Sequence, residues 1–167
     1  IEVGLGHLIT RYFIIDKSVN GGQGSILLPN NLVLTTDSCS EKLAAVRHAN
    51  GRDWWLLLEN QNGGTFYEFL IDPSGIHGPY YQTIGSHNAW PGWSPGEMEF
   101  SRQGDKLATV FGSGVVDVFD FDRCSGLLSN WQAIGDTFVH TLNNPNYGCA
   151  FSPNGKLLYI TDFKNLW

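Results

Sequence analysis

The chain has 167 residues, ten Lys and Arg against sixteen Asp and Glu for a formal charge of −6, with 16% charged and 13% aromatic residues. That is one domain's length of chain, too apolar and too weakly charged to stay disordered and rich in the residues that fill sheets. Its cations are scattered along the sequence, which argues against a nucleic-acid partner, and no run of about 18 apolar residues or basic-then-apolar leader marks a membrane span or a targeting signal.

From the N-terminus, the first recurrent feature is Ile15-Asp16-Lys17-Ser18, which returns as Ile71-Asp72-Pro73-Ser74-Gly75 and Phe121-Asp122-Arg123-Cys124-Ser125-Gly126. Residues 41–49 follow; they hold good helix formers, but their place in the repeat makes them the first strand of a unit. Arg47-His48-Ala49-Asn50-Gly51-Arg52-Asp53 is a loose copy of the segments beginning Phe100-Ser101-Arg102-Gln103-Gly104 and Phe151-Ser152-Pro153-Asn154-Gly155. Their glycines fall 53 and 51 residues apart. Asn-Gly and Gln-Gly at these places predict tight hairpins, because glycine adopts positive φ without a steric cost. Gln82-Thr83-Ile84-Gly85 and Gln132-Ala133-Ile134-Gly135 repeat in step.

Each period holds four stretches of strand character, best seen at residues 96–101, 106–113, 115–122 and 130–137. Alternation puts Val115, Phe119 and Phe121 on one face of the third strand and Val116 and Val118 on the other. Apolar groups on both faces suit a sheet packed between two neighbours. The expected fold is all-β, a β-propeller with four-stranded antiparallel blades of about 50 residues, seen as an incomplete segment. Its parts are a half blade at 1–37, blades at 42–87 and 96–137, and a half blade at 146–167, with the rest of the propeller outside the segment.

The patterns that carry chemistry fail on physical grounds. Gly92-Trp93-Ser94-Pro95-Gly96 matches a nucleophile elbow, but Pro95 has no N–H for the oxyanion and a strand follows. Gly155-Lys156 lacks both the phosphate-loop spacing and a Ser or Thr after the lysine. Asp117, Asp120 and Asp122 are split between two faces, so no calcium loop is expected, and Asp122 reads as a turn cap like Asp72. The inner-strand acids Glu97 and Glu99 align with Ala44, Gly148, Val46 and Ala150, so no carboxylate ring for a channel metal recurs. His7, His48, His77, His87 and His140 have no zinc spacing. Cys39, Cys124 and Cys149 fall at three different places in the period, so no disulfide framework is implied, and Cys149 is expected as a buried thiol. No catalytic residue, cofactor or metal is assigned.

Trp90 and Trp93, with His87 and Asn88 beside them, form the candidate ligand-binding set, since flat aromatic faces on a rigid connection can stack on a sugar ring or a partner's apolar patch. Trp54 and Trp55 are strand neighbours and face opposite ways.

The stretch from Glu41 to Trp55, the Phe-Ser-x-x-Gly-x-x-Leu copies at 100–107 and 151–158, and Asp16 to Gly24 resemble the propeller region of secreted surface proteins from type IX-secreting bacteria. Those regions are broadly similar to WD40-like and YVTN-type propellers. The resemblance implies an extracellular or cell-surface location and a binding or scaffold role. The expectation is therefore a non-enzymatic propeller presenting loops to a protein partner or a surface polysaccharide. The alternatives are glycan recognition through Trp90 and Trp93, or a lactonase- or lyase-like enzyme with a channel metal.

Overall fold

The computed structural model describes residues 2–4, 7–36, 39–87, 95–134 and 146–162. Two compact units divide the chain, Ile1–Cys39 and Ser40–Trp167. The first is an antiparallel meander of β1 (Glu2–Gly4), β2 (His7–Asp16) and β3 (Ser25–Thr36). Asp16 turns the chain between β2 and β3 by accepting the Ser18 N–H at 2.8 Å and the Ser18 hydroxyl at 2.6 Å. Phe13, Ile15, Ile26 and Leu27 are exposed on this hairpin.

In the second unit, β4 (Cys39–Arg47), β5 (Trp54–Asn60), β6 (Gly63–Asp72) and β7 (Gly75–His87) form one four-stranded antiparallel sheet. A second sheet follows from β8 (Met98–Phe100), β9 (Lys106–Val110), β10 (Val116–Phe121) and β11 (Leu128–Ile134), and a two-stranded sheet from β12 (Asn146–Phe151) and β13 (Leu158–Asp162). Residues 41–47 lie on β4 with alternating burial, so the sheet context overrides their helix propensity. Cys39 also lies on this strand, at its buried first position, rather than in a connection between sheets. Among the described residues no helix is long and apolar enough to cross a membrane.

The corner glycines are equivalent. Gly51, Gly104 and Gly155 have φ of 74°, 72° and 68°, and each donates its N–H to the carbonyl three residues back, at 2.8–2.9 Å. Ser101 and Ser152 then close the hairpin from their N–H to the carbonyls of Lys106 and Leu157, as His48 does to Asp53. The Asp turns repeat too: Asp72 accepts the Ser74 N–H at 2.7 Å, and Asp122 the Cys124 N–H at 2.9 Å.

Both faces of the second sheet are covered. Phe100, Leu107, Phe119, Phe121 and Leu128 pack on Trp55, Leu57 and Phe66 of the first sheet, where Phe66 and Phe119 meet edge to face at 5.4 Å and 83°. Ala108, Val110 and Val116 pack on Cys149 of the two-stranded sheet. Each such buried side chain contributes about 1.5–3 kcal/mol, and an aromatic pair about 0.5–1.5 more. Polar contacts fix the stacking. The Gln82 amide clamps both backbone groups of Leu128, and Asp117 accepts the Ser86 N–H at 2.6 Å and hydroxyl at 2.8 Å. Gln103 donates to the Pro153 carbonyl at 3.0 Å.

Candidate functional site

Antiparallel order places the turns at 48–53 and 72–75 at one end of the first sheet, and those at 101–105 and 122–127 at one end of the second. These ends coincide: Trp55 Nε1 and the Ala49 N–H donate to the Arg123 carbonyl at 3.0 and 3.1 Å, and His48 Nε2 is 3.0 Å from the Cys124 carbonyl. The two-stranded sheet's turn joins them through Gln103. Six of the seven described cations of this unit (Arg47, Arg52, Arg102, Lys106, Arg123 and Lys156) therefore gather at the turn-bearing end, while Lys42 is buried. Read along the sequence they are scattered; stacking hairpins of one period brings them together.

The carboxylates at this end are engaged locally. Asp53 accepts from Arg52 Nε at 2.7 Å and from Asn50 at 2.6 Å, and these bonds hold its carboxyl below the usual range. Asp120 accepts from Lys106 and Asn130, each at 2.7 Å. Asp105 accepts the Ser101 hydroxyl at 2.8 Å. The Ser74 hydroxyl, and after it His77, draw the Asp72 carboxyl far down, and Ser125 leads the same effect on Asp122.

Between β4 and β8 at this end runs an open groove of about 430 Å³, lined by Ala44, Ala45, Val46, Arg47, Trp54, residues 98–104 and Arg123. Trp54 is 40% exposed, and the Arg47 guanidinium carbon sits 5.2 Å from its ring centroid. Trp55 points the other way, into the core. Gly104 sets the width of the groove: a β-carbon there would fall 2.6 Å from Val46 Cγ2 and 2.7 Å from Arg123 Cδ. Gly104→Ala is expected to lower stability by about 1–3 kcal/mol, since the positive φ is strained for alanine and Val46 and Arg123 must move. Urea unfolding measures the loss, and a variant as stable as the wild type would show that the corner relaxes freely.

Just before β8, Glu97 accepts the Cys149 N–H at 2.9 Å. Glu99 is half-buried, and burial followed by the charge of Glu97 pushes its carboxyl up. The Cys149 thiol, buried beside both acids, is pushed up to about 12 and is inert at neutral pH. Among the described residues no group of three His, Cys, Asp or Glu is placed to hold a metal ion.

Of the sequence-derived ligand set, only His87 lies within the described residues. It ends β7 opposite Gly63, at the end of the sheet away from the arginines, with its ring against Gly64. Asn88, Trp90 and Trp93 lie outside the described residues, as does Ser94. The groove residues Arg47, Trp54, Arg102 and Arg123 were not singled out as a site by the sequence. The available signal was that Arg47, Trp54 and Arg102 each fall within four residues of a corner glycine.

No family model matches the sequence and no curated protein is significantly similar to it. Solved structures share its fold. A Bacteroides uniformis protein provisionally assigned as a 6-phosphogluconolactonase superposes with a TM-score of 0.56 at 16% identity, over 92% of this chain and 44% of that one. A Lactobacillus plantarum protein gives 0.56 at 13%, over 96% and 49%. The periplasmic gluconolactonase of Pseudomonas aeruginosa gives 0.51 at 17%, over 93% and 43%. This chain spans under half the length of each. The fold is a β-propeller of four-stranded antiparallel blades; identities this low carry the fold and no chemistry.

Proposed function

We propose that the protein is a non-enzymatic β-propeller module, extracellular or at the cell surface, that binds a partner or a surface polymer at the turn-bearing end of its blades. One observation carries the reading. Arg47, Arg102 and Arg123 line a single open groove beside an exposed tryptophan, and among the described residues none of the three has an ionic partner. Charged groups left without partners on a rigid scaffold are groups available to a ligand. The binding role follows from that availability, and the location from the resemblance of the repeats.

A second reading, a lactone hydrolase, is favoured by Glu99, whose raised carboxyl on an innermost strand has the character of a general acid or base. Two assays on the full chain separate the readings. Hydrolysis of δ-gluconolactone, followed by pH-stat, is expected to stay at the uncatalysed rate, while tryptophan fluorescence titrated with acidic and neutral polymers is expected to shift. Turnover that persists through purification and disappears in Glu99→Gln would replace the binding reading with the enzymatic one.

A further inference from the structure

We infer that the groove between β4 and β8 is a subsite for an acidic polysaccharide whose sugar rings carry carboxylates. This inference rests on the binding reading above and names the class of its ligand. Arg47, Arg102 and Arg123 present guanidinium donors without an ionic partner among the described residues, and the guanidinium fork matches a carboxylate with two parallel hydrogen bonds. Trp54 supplies the other half of the recognition. The Arg47 guanidinium lies over its partly exposed ring, so a sugar ring packed on the exposed part of the indole would bring its carboxylate within reach of the groove's guanidinium groups.

The shape agrees with a polymer. Small residues, Ala44, Ala45 and Gly104, contribute to the lining, and the groove is open, with a volume in the lower part of the range of ligand sites. It therefore suits a short stretch of an unbranched chain passing through. Charge discriminates among anions. The six cations of this end stand among the carboxylates of Asp53, Asp72, Asp105, Asp120 and Asp122, and Glu99 lines the groove itself, so positive and negative charge are nearly balanced there. That field disfavours a densely charged polyphosphate more than a polymer with one charge per ring.

The test is titration of the full chain with polygalacturonate, by tryptophan fluorescence and calorimetry at two salt concentrations. Binding is expected to weaken with salt and to fall at least tenfold on the methyl-esterified polymer. It should fall at least tenfold in Trp54→Ala and in Arg102→Ala, and persist in the Trp90→Ala/Trp93→Ala double variant. Circular dichroism checks the fold of each variant; should Trp54→Ala unfold, Arg102→Glu at an exposed turn position carries the test. Equal affinity for the esterified polymer, or loss in the Trp90/Trp93 double variant with Trp54→Ala unaffected, overturns the inference. Poly-glutamate bound as tightly as polygalacturonate also overturns it but leaves the binding reading standing. Binding to no probe, together with lactone turnover, removes both.

Discussion

Lys42→Ala is expected to destabilise the second unit by about 3–5 kcal/mol, a large fraction of the roughly 5–15 kcal/mol that holds a domain together. Lys42 lies on β4 on the same face as Ala44 and Val46, and is buried with them. Its ammonium donates to Glu59 Oε2 at 2.9 Å and to Thr109 Oγ1 at 3.1 Å, and sits 3.4 Å from the Phe111 ring centroid. Thr109 in turn donates to Glu59 at 2.6 Å, joining the second sheet to the first. Burial pushes the Glu59 carboxyl up, and the charge of Lys42 is the main force opposing that rise. Without the ammonium a carboxylate remains in an apolar layer, so the fold must either open or bind a proton. The sign follows: a folded-state pKa raised still further makes the variant's deficit smallest below the ordinary carboxylate range and larger as pH rises. The Lys42→Met/Glu59→Leu double variant removes both charges and is expected within about 1 kcal/mol of wild type, or above it. Urea unfolding of the three proteins checks this; a Lys42→Ala loss below about 1 kcal/mol would show that water reaches Glu59.

The features legible in the sequence are those with a local steric or periodic cause. Gly51, Gly104 and Gly155 were visible because a positive φ at a hairpin corner leaves a mark on composition, and the three then share one hydrogen-bond pattern. Two-sided burial of the second sheet was visible in the apolar residues on both faces of β10. Asp72 and Asp122 were readable as turn caps because the side-chain bond spans two residues. The groove was not, because its arginines occupy unrelated places in the period: Arg47 aligns with Phe100, Arg102 with Ala49 and Pro153, and Arg123 with Pro73. They meet only when adjacent sheets stack. The Lys42–Glu59–Thr109 lock spans 67 residues and has the same origin.

Glu68 should govern the stability of this unit on the alkaline side. It lies on β6 between Leu57 of β5 and Tyr80 of β7, is buried, and leaves Oε1 without a hydrogen-bond partner among the described residues. Burial alone pushes its carboxyl up from 4.5 to about 7. The folded state thus holds the proton more tightly than the unfolded chain. The contribution is fully present below pH about 4.5, declines as pH rises through about 7, and levels off above. With allowance for solvent screening, the loss between pH 5 and pH 8 is about 2 kcal/mol. Glu68→Gln cannot ionise, so its stability should exceed that of the wild type by about this amount at pH 8 and match it near pH 5. The acid limb, set by the lowered carboxyls of Asp53, Asp72 and Asp122, should be common to both proteins. Urea midpoints at pH 5, 6, 7 and 8 resolve the difference, and two profiles that stay parallel over that range would assign the alkaline loss to another group.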